Sequence, residues 1–156
     1  ETDPEEHYRF WQKELPDMYL SWGMFGENFT TEGLFEDNVN IGDRFQIGTA
    51  IVIATQPRMP CYKLGVKFGR MDIIKRFMSS GLTGIYFKVL QEGEVGAGDV
   101  IELIRRDDNN VTVKDVVRIY TVDKDDVQTM ERAIKVKDLP VGWRSHLIEQ
   151  LDQTKK

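Results

Sequence analysis

A single thiol stands in the segment Thr55-Gln56-Pro57-Arg58-Met59-Pro60-Cys61-Tyr62-Lys63, with the guanidinium of Arg58 upstream and the ammonium of Lys63 downstream. Nearby positive charge favours a thiolate, lowering a cysteine pKa from its free value of about 8.5. Pro57 and Pro60 fix their own φ angles and push Gln56 and Met59 toward extended conformations, which leaves little loop entropy to lose on binding. A held, partly ionised thiolate is a nucleophile, a redox thiol or a ligand for a soft metal. The same residue also reads as inert packing, because cysteine is among the most often buried side chains. The two histidines, His7 in a charged helical turn and His146 near the chain's end, have no metal-ligand partner at useful spacing and read as structural or solvated.

These groups must be positioned by the surrounding elements. Ala50 to Ala54 is the most apolar strand-like run and leads directly into the cysteine segment. A strand end feeding a stiff loop fixes a side chain while leaving it accessible. Val39 to Ile47 and Thr49 to Thr55 alternate and are rich in β-branched residues, so they are predicted strands, as are Gly84 to Leu90 and Val100 to Ile104. The Gly-Asp pairs at Gly42-Asp43 and Gly98-Asp99 each precede an apolar strand, which predicts a repeated turn with structural aspartates. Ahead of them, Asp3-Pro4-Glu5-Glu6 predicts a helix start with Asp3 as cap, and Tyr8, Trp11 and Leu15 form an apolar face before Pro16. Met71 to Met78 predicts a second helix, stopped at Ser79-Ser80-Gly81.

Beyond the polar linker Arg105 to Asn110, three short helices are predicted. Thr112 caps the first, with Asp115 completing a capping box. Asp123 caps the second, and Pro140 to Trp143 opens a third that buries Trp143, Leu147, Ile148 and Leu151. The expected class is mainly β with α, an α+β fold: a partial β-barrel domain over 1–109 with flanking helices, then a small three-helix bundle over 110–156.

Composition narrows the function. A net charge of −5 without a basic run argues against non-specific nucleic-acid binding, which depends on Lys and Arg neutralising phosphates. No apolar run approaches the roughly 20 residues that cross a bilayer, and the acidic start is unlike a signal peptide. The single cysteine excludes an internal disulfide, so a cytoplasmic protein with a reduced thiol is expected.

With the pieces placed, the chain resembles the bacterial MOSC family, named for the C-terminal domain of molybdenum-cofactor sulfurase, in its YiiM-like branch. The resemblance rests on Phe25-Gly26-Glu27-Asn28-Phe29, Thr31-Glu32-Gly33-Leu34, Val39-Asn40-Ile41-Gly42-Asp43, Gln56-Pro57-Arg58 and Pro60-Cys61-Tyr62-Lys63-Leu64. Ser80-Gly81, Gly84-Ile85-Tyr86 and Gly93-Glu94-Val95 with Gly98-Asp99 continue it, and Val111 to Leu151 looks like the family's C-terminal 3-alpha domain. Members of the branch carry an N-terminal barrel segment with a His-Gly-Gly motif, which is not found here. The resemblance therefore implies an open barrel edge, an incomplete pocket and a tendency to pair between chains.

The resemblance implies a pterin-based molybdenum cofactor with Cys61 as the protein's sulfur ligand, and two-electron cleavage of an N–O bond in an N-hydroxylated base analogue such as hydroxylaminopurine. Arg58 and Lys63 are the candidates to contact the pterin phosphate, and Glu27 and Asn28 to line the pocket, Asn28 equally as a loop organiser. A flavin or iron–sulfur reductase, or an adjoining redox domain, is implied as electron donor, because one cysteine cannot hold a cluster. Two other functions stay open at this point: a sulfur-transfer module carrying a Cys61 persulfide, and a non-catalytic binding domain.

Overall fold

The structure is a computed structural model describing residues 1–156. Its strands are β1 (Thr2–Pro4), β2 (Phe29–Thr31), β3 (Arg44–Ile47), β4 (Ala50–Pro57), β5 (Ile85–Gln91) and β6 (Ile101–Arg105). Its helices are α1 (Glu5–Glu14), α2 (Tyr62–Phe68), α3 (Asp72–Ser80), α4 (Val113–Thr121), α5 (Val127–Ala133) and α6 (Val141–Thr154). The strands form one mixed sheet in the order β2-β1-β5-β4-β3-β6, antiparallel except where β1 meets β2. Register shifts at Arg44/Phe45, Ile51/Val52 and Ala54/Gln56 mark where the sheet bends. A bulge increases local twist and bends its strand, and three of them help curl this sheet into a half-barrel. The α+β class and the barrel-like curl agree with the sequence reading.

The β3–β4 hairpin shows why the sheet needs glycine at its turn. Gly48 has φ +58 and lies so close to the Glu94 carbonyl that a Cβ there would collide with it. The repeated Gly-Asp turn is also present: Asp43 Oδ2 accepts from Asn40 N at 2.9 Å, and Asp99 Oδ2 accepts from Gly96 N at 2.7 Å. Both aspartates are structural, and Asp43 additionally accepts from Asp107 N at 2.8 Å.

The chain has two apolar cores. The larger joins Ile41, ahead of β3, and sheet residues Phe45, Ala54 and Ile85 to Val113, Val116, Ile119, Met130 and Leu147 of the C-terminal helices. The smaller is aromatic, with Tyr8, Trp11, Phe25, Phe68 and Phe77 gathered between α1, α2 and α3. Trp11 and Phe77 stack at 6.3 Å with planes 8° apart.

Several local expectations are corrected. Asp3 does not cap α1; it lies buried in β1, and the cap position falls to Pro4 without a side-chain bond. The strand expected from Val39 starts only at Arg44, because Val39 and Ile41 exchange hydrogen bonds with Val113 and Val111 instead of a neighbouring strand. Asp126, not Asp123, caps α5, while Asp123 accepts from Arg118. Ile148 is 43% exposed, so α6 buries Leu147 and Leu151 without it. Helix α2 was not expected from sequence, since only Leu64 and Phe68 of its side chains are buried and its seven residues give too short a periodic signal.

The capping box on α4 is present in both directions, Thr112 accepting from Asp115 N at 2.9 Å and Asp115 from Thr112 N at 3.0 Å. Thr112→Ala is expected to lower unfolding free energy by about 1 kcal/mol with an unchanged denaturant m-value, measured by urea titration.

Candidate functional site

Strand β4 delivers the cysteine segment as a rigid extension of the sheet. Gln56 pairs with Tyr86 and Pro57 with Ile85, and Arg58 N donates to Gly84 O at 3.3 Å, one residue past the strand's end. Thr55, at the bulge, donates its hydroxyl to Tyr86 O at 3.1 Å, and Gln56 Oε1 accepts from Trp143 Nε1 at 2.8 Å. Cys61 is extended (φ −118, ψ 175) and immediately precedes α2, whose first turn begins with Leu64 N donating to Cys61 O at 3.0 Å. Its thiol is exposed and makes no capping bond. The packed-thiol reading therefore has no support in burial.

Arg58 is held from three sides. Its Nε pairs with Glu1 Oε1 at 2.9 Å, with only 12% and 10% of the two side chains exposed. Its guanidinium carbon sits 5.6 Å above the centre of the Phe77 ring. Gly26 makes room on the third side: it has φ +93, and a Cβ there would lie 3.2 Å from Arg58 Nη2. Arg58 Nη1 is buried and has no hydrogen-bond partner. A buried guanidinium N–H without an acceptor is costly, so this group is suited to receive an anionic oxygen. Burial, reinforced by the charge of Glu1, pushes the Tyr86 phenol above its usual range; Arg58 and Cys61 also act on it electrostatically. Glu1, Arg58, Tyr86 and Cys61 thus form one electrostatic cluster at the end of β4.

The other predicted residues fall in different places. Glu27 is buried beneath the cluster, and its Oε1 accepts from Gly23 N at 3.0 Å, from Thr30 Oγ1 at 3.0 Å and from the Tyr8 hydroxyl. Burial and the Glu27 carboxylate both push the Tyr8 phenol upward, so it remains a donor. Glu27 organises the Gly23–Thr30 loop, although its Oε2 is buried without a partner. Asn28 is exposed and accepts from the Glu1 nitrogen at 3.1 Å, a loop-organising contact. It also lines, with Phe29, Val52, Phe87 and Val89, a cavity of about 710 Å3. Lys63 is exposed on α2, with no ion pair.

Sequence reasoning missed Glu1, Tyr86 and a buried charge cluster beside them. His7, expected to be structural or solvated, is 2% exposed. Its Nδ1 meets Asp3 Oδ1 at 2.6 Å and its Nε2 lies 3.2 Å from Glu36 Oε2. Glu36 Oε1 in turn accepts from Gly84 N at 2.7 Å, at the entry to β5. Burial alone would discharge the imidazole, but the two carboxylates outweigh it and raise the His7 pKa to about 9. Two acids and one base cannot neutralise each other, so burial also pushes the Asp3 carboxyl up. The i, i+4 spacing of Asp3 and His7 was a visible signal for the first pair; nothing local signals Glu36.

Against known proteins, the MOSC domain family matches residues 4–102. The chain is 39% identical over 150 residues to the uncharacterized protein YflK of Bacillus subtilis, covering 96% of this chain and 67% of that protein. It is 34% identical over 118 residues to a protein of Gibberella moniliformis described as a reductase, covering 73% of this chain and 21% of that protein. The crystal structure of YiiM from Geobacillus stearothermophilus superposes with a TM-score of 0.91 at 34% identity, covering 96% of this chain and 76% of that one. The chain thus spans about two thirds or less of the length of the curated relatives it matches.

The pH dependence of stability follows from His7. Its folded pKa lies above its unfolded value of about 6.5, so its contribution is complete below about pH 6.5 and is lost as pH rises through about 9. A melting-temperature series from pH 6.5 to 9.5 is expected to fall in the wild type, while His7→Gln should be less stable at pH 6.5 and nearly flat across the range.

Proposed function

This chain belongs to the MOSC domain family, and we propose that it is the molybdenum-cofactor-binding part of a reductase of N-hydroxylated compounds, with Cys61 as the metal's protein ligand. The observation that carries the reading is the conjunction past the end of β4: a buried guanidinium with an unpaired N–H at Arg58, tied to the sheet, and three residues later an exposed thiol at Cys61. The donor set fits the group. A thiolate suits a soft metal centre, and the buried, unpartnered Nη1 of Arg58 suits an anionic oxygen of the pterin phosphate. Lys63, exposed and unpaired two residues beyond Cys61, would add a second cation.

When bound, the cofactor supplies the two-electron step R–NHOH + 2e− + 2H+ → R–NH2 + H2O. The chain's own residues hold and orient. The β4 ladder fixes where the cysteine segment leaves the sheet, and Glu1 with Phe77 fixes the plane of Arg58. Gly26 keeps space beside that guanidinium, and Glu27 holds the loop that carries Gly26. Tyr86 stays a neutral phenol, able to donate a hydrogen bond within the cluster.

The electrons must come from a flavin or iron–sulfur partner, or from an adjoining redox domain. That a fungal protein described as a reductase matches over 21% of its own length supports the second arrangement. A cytoplasmic setting suits a reduced thiol. The exposure of Cys61 also favours a second reading, a persulfide carrier for sulfur transfer.

Elemental analysis decides between them on protein from a host that makes the cofactor. Near-stoichiometric molybdenum in the wild type, reduced at least tenfold in Cys61→Ala, is the expected result. Cyanolysable sulfur without molybdenum would establish the persulfide reading instead, and metal unaffected by Cys61→Ala would remove Cys61 as ligand. Arg58→Lys, which keeps the charge but loses the fork, is expected to lower bound pterin severalfold, measured by its fluorescence after oxidation and release.

A further inference from the structure

We propose that the outward face of α2, the helix that follows Cys61, is the surface on which the electron donor docks, and that this donor is a flavin protein or domain with an acidic surface. The donor's role rests on the reductase reading above. The face itself rests on exposure and charge. Helix α2 turns Leu64, Gly65 and Phe68 inward and leaves Tyr62, Lys63, Val66 and Lys67 facing out. At about 100° per residue, Tyr62 and Val66 form one stripe with Lys63 and Lys67 beside it. Tyr62 is 65% exposed and Val66 69%. Met71, 58% exposed, covers the other flank, its sulfur so close over Gly65 that a Cβ there would collide with it. Lys67 Nζ donates to Gly23 O at 2.6 Å, which ties the loop carrying Trp22, itself 64% exposed, to the same helix. Apolar and aromatic side chains at the centre with charge at the rim are the composition of a protein interface.

The charge is concentrated. Between Arg58 and Arg76 stand six cations and one acid, Asp72, so this stretch carries +5 in a chain of −5. Arg70 and Arg76 share Asp72, whereas Lys63 and Lys67 pair with no carboxylate. Positive potential gathered on one part of an acidic chain steers an acidic partner there and repels it from the rest. A nucleic-acid strand fits less well, because the stripe is apolar and the chain as a whole repels phosphates. Flavin matches the stoichiometry. A flavin hydroquinone gives up two electrons and two protons in becoming oxidised flavin, which is what R–NHOH takes up in becoming R–NH2 and H2O.

The face also adjoins the thiol. Cys61 is exposed and extended immediately before α2, so a domain seated on Tyr62 and Val66 meets the residue next to it.

Flavodoxin, a small acidic protein carrying flavin mononucleotide, is the probe, with its affinity for the cofactor-free chain read by flavin fluorescence anisotropy. Saturable binding is expected at about 20 mM salt, weakened at least tenfold at about 200 mM as screening shortens the reach of the charges. Val66→Glu places an acid in the exposed stripe without losing helix propensity, so binding should fall at least tenfold with the melting temperature unchanged. Val100→Glu makes the same change of charge elsewhere: Val100 is 80% exposed beside the Ile47–Ile101 pair, at the opposite end of β4 from Cys61, and should bind within twofold of the wild type. No saturable binding in the wild type, binding insensitive to salt, or equal losses in the two variants overturns the face. Binding to phosphatidylserine vesicles but not to flavodoxin, lost in Val66→Glu, would overturn it in favour of a membrane surface. Molybdenum uptake without docking would sink the face alone. Docking that Val66→Glu removes, in protein that never takes up molybdenum, would keep an acidic partner on α2 and sink the reductase reading.

Discussion

The pairing of His7 with Asp3 and Glu36 is the constraint on which the arrangement around the candidate site depends. One imidazole joins strand β1, helix α1, the segment after β2 and, through Glu36, the backbone at the start of β5. All three residues are at most 3% exposed. A buried charge is tolerable only when paired, so losing the imidazole leaves both carboxylates uncompensated, at a cost of roughly 3–5 kcal/mol. The cluster fixes β1 against β5, and that places Glu1 where it meets Arg58.

From that anchor the site is assembled by two kinds of packing. The sheet ladder locks β4 up to Arg58 and so fixes the direction in which the cysteine segment leaves the sheet. The aromatic core supplies a floor, with Phe77 beneath the Arg58 guanidinium and Phe25 packed against both Phe68 and Phe77. A cation over an aromatic face is attracted by the ring quadrupole, by about 0.5–1 kcal/mol or more when desolvated. The aromatic cluster thus serves both the packing of α1, α2 and α3 and the candidate site: the same rings hold the Arg58 cation at the end of β4.

The C-terminal helices bear on the same strand end from the opposite side. Their core is continuous with the sheet's, through Ala54, Ile85, Val116 and Leu147, and Trp143 reaches Gln56 directly. The linker region is well tied: Asp43 and Asn40 take up the backbone and side chains of Asp107 and Asn110. The helices are therefore held in register with β4, and their aromatic residues stand at a fixed distance from the cysteine segment.

The sequence by itself determined most of what is local. Strand runs at Ala50 and Ile85, the Thr112–Asp115 capping box, the Gly-Asp turns and the α1 face of Tyr8, Trp11 and Leu15 all follow from short-range steric and hydrogen-bonding rules, and the structure contains them. The segment from Arg58 to Lys63 was conspicuous in the sequence, because its one cysteine lies between two cations and follows two prolines; that its thiol is exposed was not legible there. Other assignments failed where a local preference met a stronger distant partner. Asp3 has the sequence of a helix cap, yet a buried imidazole outbids the backbone N–H groups for its carboxylate. Asp123 likewise has a cap's position but is claimed by Arg118. Which residues surround Arg58 was decided only by the tertiary structure: Glu1, Gly26 and Phe77 are scattered along the chain, and no rule of spacing can join them. Charge pairing and ring packing act through space, whereas periodicity and capping act through neighbours on the backbone, and the candidate site is built mainly from the former.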